Sequence, residues 1–206
     1  PAVLTISETD PYNYGGVVVN GSTTYTFTIN NTGSFAATSI SELTLSAPFS
    51  MPGGFPGTGG DCTATLAAGS NCDIVVEFAP TSTGVASDSI TISYYDGEST
   101  QSAVRTIQGT GNSPANITIS DGPTYDYNVV LVGNLATKTF TVNNTGATDA
   151  TSVADGSGLA APFDWNGGTF PGTGGNCGTT INAGSSCQVV VSFQPSSAVV
   201  SNDTIL

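Results

Sequence analysis

No histidine occurs in this chain, and its side-chain cations are confined to Arg105 and Lys138. Without histidine a Ser-His-Asp triad cannot be assembled. Two cations against fifteen carboxylates leave a net charge of −13. Nothing is available to neutralise phosphates, which argues against nucleic acid as a partner and equally against anionic membrane surfaces. Charged residues make up only 8% of the chain, where about a quarter is usual. Polarity comes instead from Ser, Thr, Asn and Gly, as is typical of secreted proteins. No run of about 18 apolar residues is present, so no direct membrane insertion is expected. The chain begins at Pro1 without a leader, and the expectation is a piece processed or excised from a longer secreted precursor.

What the chain has is a repeat. "LTIS" at Leu4–Ser7 returns as "ITIS" at Ile117–Ser120, and "FTINNTG" at Phe27–Gly33 returns as "FTVNNTG" at Phe140–Gly146, each 113 positions on. The cysteines return 115 positions on. A period this long describes tandem domains, because solenoid units run about 20–50 residues. The boundary falls in the Gly-, Ser- and Pro-bearing stretch "QGTGNSPAN". Domain 1 is therefore expected over 1–112 and domain 2 over 113–206. Asp88 aligns with Asp203, so the closing strand "AVRTIQGTG" has no partner in copy two, and the expectation is either that the piece is cut short there or that the strand is supplied from elsewhere.

Alternation of apolar residues predicts strands. Tyr25, Phe27 and Ile29 share one face, as do Ile74, Val76 and Phe78, and in the second copy Val189, Val191 and Phe193. Asp96-Gly97 reads as a two-residue hairpin turn. No stretch has helical spacing with caps. About seven short strands per copy predict an all-β chain of two tandem immunoglobulin-like antiparallel β-sandwiches, the second without its last strand.

The four cysteines form two local pairs. Zinc wants closer spacing and further ligands, and a redox pair wants Cys-x-x-Cys at a helix start; neither pattern is present. No metal or cofactor is expected. Among three connectivities the local one, Cys62–Cys72 and Cys177–Cys187, is the natural choice. Each bond is expected to bridge a hairpin turning at Ala68-Gly69-Ser70. It implies an oxidising, extracellular or cell-surface location.

Cys62, Leu66, Gly69, Cys72, Val76, Phe78 and Pro80 form a pattern that copy two writes as Cys177, Ile181, Gly184, Cys187, Val191, Phe193 and Pro195. With Tyr14-Gly15, Gly21 and "NNTG" upstream, this resembles the bacterial choice-of-anchor D repeat, related to the Hydin and abnormal-spindle immunoglobulin-like domains. Copy two departs at Asn128, where glycine is expected. The resemblance implies a β-sandwich on secreted or surface proteins, usually in tandem, and no common catalytic residue.

"PGTGG" precedes a cysteine and a strand, so it is a flexible loop and not a phosphate loop. The acidic turns "ETDPYN" and "DGPTYDYN" carry oxygen ligands for calcium, with Asx-turn chemistry as the alternative. Lys138 is the one lysine available for an isopeptide bond. The Gly-rich loops 50–61 and 164–176, with Phe55, Trp165 and Phe170, are the candidate binding loops; an exposed tryptophan there could stack on sugars, the alternative being that Trp165 covers the end of the sandwich.

The function expected is a non-catalytic structural module of an extracellular bacterial protein, as a fibre subunit joined by strand complementation. Its partners would be itself or other domains of the same surface protein. The alternative is an adhesive or carbohydrate-binding module using the Gly-rich end loops on glycans or another cell surface.

Overall fold

The structure is a computed structural model, and residues 1–205 are described. The chain divides into two compact units, Pro1–Asn112 and a second beginning at Ser113. All regular structure is β-strand.

The first unit holds β1 (Leu4–Ile6), β2 (Tyr12–Val18), β3 (Thr23–Asn31), β4 (Ala37–Leu43), β5 (Phe49–Ser50), β6 (Thr65–Leu66), β7 (Asn71–Phe78), β8 (Gly84–Tyr95) and β9 (Thr100–Asn112). Four strands form one sheet in the order β1-β3-β7-β5, and five form the other in the order β2-β9-β8-β4-β6. Their inner faces close on one core containing Phe27, Ile29, Phe49, Ile74, Val76 and Phe78 from one side and Ile90, Ile92 and Ile107 from the other. Fully burying each of these side chains contributes roughly 1.5–3 kcal/mol. The result is an immunoglobulin-like β-sandwich.

One ladder is parallel. β2 runs alongside β9, pairing Tyr12 with Ile107 and Val17 with Gly111 across an irregularity between Asn13 and Gly16. The chain leaves the first sheet after β1 and joins the second, where β9 already points the same way. The β8–β9 turn also differs from the sequence expectation. Tyr95 pairs with Thr100, so the loop is the four residues Asp96–Ser99. The Asp96 carboxylate accepts from the Ser99 and Glu98 amides at 2.8 Å each. These bonds hold its pKa below the usual carboxylate value.

The second unit holds β10 (Ile117–Ile119), β11 (Ala136–Asn144), β12 (Ala150–Thr151), β13 (Phe163–Trp165), β14 (Thr180–Ile181) and β15 (Ser186–Phe193). One sheet has the order β10-β11-β15-β13, and the other has β12 and β14. Its aromatic lattice repeats that of the first unit. Phe49 stacks on Phe78 at 4.9 Å and Phe163 on Phe193 at 4.8 Å. Tyr12 meets Phe27 edge-on at 5.1 Å and Tyr125 meets Phe140 edge-on at 5.5 Å.

Candidate functional site

The cysteines pair as Cys62–Cys72 and Cys177–Cys187, each with Cα atoms 4.9 Å apart. They do not bridge a hairpin. The two strands flanking the Ala68-Gly69-Ser70 turn belong to different sheets: β6 pairs with β4 and β7 with β3. The bond therefore ties the segment entering one sheet to a strand of the other. The cause lies in Asn31, which is 1% exposed. Its side-chain nitrogen donates to the carbonyls of Phe35, Leu66 and Ala67, and its oxygen accepts from the amides of Val3 and Gly33. Asn144 repeats the arrangement with Thr148, Ile181, Asn116 and Gly146. These bonds hold the turn against β3 and β11, so it cannot close into a hairpin. "NNTG" carried this information only as a repeated motif, with nothing in the sequence to mark its second asparagine as buried.

The Gly-rich loops pack against their own sheets. The Val75 amide donates to the Pro56 carbonyl and the Val190 amide to the Pro171 carbonyl, both at 2.8 Å. A Cβ on Gly57 would overlap the Val75 carbonyl, and one on Gly172 the Val190 carbonyl. Glycine is thus required by close approach, and each "PGTGG" lies on the outer face of β7 or β15. This also explains why Val75 and Val190, which point away from the core, are buried. Trp165 is 3% exposed and meets Phe170 edge-on at 5.1 Å. Its ring belongs to the second core and offers no stacking platform for a sugar. Phe55 and Phe170 are half-buried against their own cores.

The acidic turns serve the backbone. Asp10 accepts from the Thr106 amide at 3.0 Å, Asn13 from Gly15 at 2.8 Å and Asp126 from Asn128 at 2.7 Å. The Asn13 and Asp126 bonds are Asx turns, whereas the Asp10 bond reaches across to β9. Asn128 stands at φ 56°, matching Gly15 at φ 75°; asparagine tolerates this left-handed region better than most residues, which accounts for its departure from glycine. Lys138 pairs with Asp121 at 2.6 Å and lies 4.5 Å from the centre of the Tyr125 ring.

A further opening is in the second unit. A cavity of about 410 Å³ lies between residues 119–127 and residues 201–205, with Phe140, Phe163 and Val191 on its walls. In the first unit the corresponding space is filled by β9. The Tyr127 hydroxyl, beside the cavity, donates to the Val191 carbonyl at 3.1 Å. Burial, with a smaller contribution from Tyr125, pushes its pKa up to about 12. Ile119 is 37% exposed, whereas its counterpart Ile6, lying under β9, is 5% exposed. Val129 is 93% exposed, and Leu131 and Val132 are exposed beside it. Among the described residues no strand pairs with 124–134.

Comparison with known proteins adds a family. Residues 5–110 match the HYDIN/CFA65/VesB-like, Ig-like domain family. No curated protein sequence matches the chain. Among solved structures it is similar to the Vibrio cholerae VesB protease, with 20% identity and a TM-score of 0.42, over 53% of this chain and 31% of that one. The chain thus spans about a third of VesB. A protein of unknown function from Porphyromonas gingivalis W83 shares 14% identity with a TM-score of 0.40, covering 93% of this chain and 83% of that one. An ASH/PapD-like domain of human CEP192 shares 10% identity with a TM-score of 0.40, covering 54% and 86%.

Proposed function

This chain belongs to the HYDIN/CFA65/VesB-like, Ig-like domain family, and on that premise we propose that it is a non-catalytic structural module of an extracellular or cell-surface bacterial protein. The observation that carries this is the use made of its polar side chains. Asp10, Asp96, Asp126, Asn31 and Asn144 cap backbone amides or hold turns within their own unit. The repeated cysteine pattern supports the narrower assignment to the choice-of-anchor D repeat in two tandem copies. One disulfide in each unit supports an oxidising location.

The finer proposal is a fibre subunit joined by strand complementation. Residues 124–134 pair with no strand among the described residues and expose Val129, Leu131 and Val132, and unpaired apolar backbone of this kind supports pairing with another strand. Partners are then copies of the same protein or neighbouring domains of the same surface protein. Electron microscopy of unheated native material tests the proposal. Regular filaments with a repeat near the length of two domains are expected, and uniformly single particles would overturn the fibre assignment.

A further inference from the structure

We infer that the outer face of strands β4, β8 and β9 in the first unit is a docking surface for a second copy of this chain, which packs there sheet against sheet. This contact is separate from the strand joint proposed above and does not depend on it.

The face is built mainly by the long strands β8, of 12 residues, and β9, of 13. Ile90, Ile92 and Tyr94 enter the core, which turns their neighbours on β8 outward. Thr91 then lies between Leu43 on β4 and Val104 on β9, and Ser93 lies between Ser41 and Ser102. The other outward positions, within 85–95 of β8 and 100–110 of β9, are Val, Ser, Thr, Gln or Tyr. None is charged. The three charged residues of these strands all fall on the opposite alternation. Glu42 stands across from Ile92, Asp88 from Ile107 and Arg105 from Ile90, and each of those isoleucines is fully buried. This placement has an electrostatic cost. Burial pushes the Glu42 carboxyl above the ordinary carboxylate value, with the Leu45 amide opposing and the Asp88 charge adding to the rise.

The outer face of the other sheet is different. There β7 carries Asp73 and Glu77, opposite Thr28 and Thr24, and the "PGTGG" loop covers Val75 between them. One outer face of this sandwich is acidic and roofed. The other is neutral and open.

Charge selects the occupant. Each chain carries −13, so two copies repel, and they meet at least cost where the contact brings no carboxylates together. Leu43 and Val104 are 57% and 53% exposed on either side of Thr91. They supply an apolar centre, and the hydroxyls around them can hydrogen-bond across the contact. Short Ser and Thr side chains also leave the face flat enough for sheets to pack about 10 Å apart. From Val85 to Tyr95 the face runs about 35 Å, and three strands make it about 15 Å wide. Two copies would bury about 1,000 Å², the lower bound for a specific interface, so the pair is weak and reversible. A sugar polymer would want aromatic rings to stack on, and the face offers only Tyr95, at its end.

Sedimentation equilibrium of the full 206-residue chain carrying Val129→Lys tests this with the strand joint kept out of the measurement. A monomer–dimer equilibrium is expected that tightens several-fold between about 20 and 500 mM salt, because screening relieves the net repulsion and no ion pair is lost. Val104→Glu and Val104→Lys should each weaken the dimer about tenfold or more, since either places an unpaired charge in the contact. Val104→Lys is the sharper variant: it lowers the net charge and would strengthen an association governed by charge alone. Thr24→Lys, on the other outer face, should leave the dimer no weaker. A monomer at every concentration, or a dimer that both Val104 variants leave intact, would overturn the inference. A dimer from a chain whose parent forms no filaments would uphold this face and overturn the strand joint. Filaments from the parent without this dimer would do the reverse.

Discussion

The side-chain amide of Asn31 donates to the main-chain carbonyl of Leu66 at 3.0 Å inside the first core. Five bonds in all converge on this asparagine, from Val3 just before β1, from the loop after β3 and from the end of β6 and the turn beyond it. Asn31→Ala leaves several of those backbone groups buried without a partner. Unsatisfied buried groups cost about 1–3 kcal/mol each, and a loss of at least about 2 kcal/mol is expected. Urea unfolding of the first unit measures it. Asn144→Ala should do the same to the second, and an unchanged midpoint in both would show that water replaces the bonds.

Reduction should weaken each unit separately. The loop between Cys62 and Cys72 spans 10 positions, and closing a loop of that size contributes roughly 3 kcal/mol in the chain-entropy model. The paired variant Cys62→Ala/Cys72→Ala is expected to lower the first transition in calorimetry and leave the second in place. Cys177→Ala/Cys187→Ala should give the converse.

Gly109→Ala tests the packing rule inside the first unit. The new methyl would sit 2.6–2.8 Å from Phe78 ring atoms, and Phe78 is fully buried and stacked on Phe49. Overpacking of this kind costs about 1–3 kcal/mol. A melting temperature equal to that of the parent would show that the ring can yield.

Alkaline pH should destabilise the second unit through Tyr127. Its hydroxyl has a pKa of about 12 in the folded unit against an ordinary value of 10.0. A raised pKa means that the folded state holds the proton more tightly. The stabilisation is complete below pH 10 and is lost as pH rises towards about 12. Tyr127→Phe should flatten that part of the stability profile, followed by urea titration at each pH. Tyr14, deeper in the first unit, is displaced in the same direction by burial.

Val129→Lys separates association from folding. The side chain is almost wholly exposed, so stability should change by no more than about 0.5 kcal/mol. A charge on an open edge discourages strand pairing. Self-association measured by sedimentation should fall, and unaltered association would move the joint elsewhere.

Local pattern was enough for much of this protein. Alternation placed Phe27, Ile29, Ile74, Val76 and Phe78 on an inner face, because side chains on a strand alternate with a period of two whatever lies opposite. Self-similarity drew attention to two copies, and short spacing suggested the cysteine partners. Other features depended on contacts between residues far apart in the chain. The parallel β2–β9 ladder joins positions about 95 apart, and local periodicity does not specify strand direction. Asn31 is buried because three separate segments converge on it. Val75 is covered because a loop folds back over the outer face of β7, and that same approach packs "PGTGG" against the strand. Trp165 has the composition of an exposed loop around it, yet it is buried on Phe170.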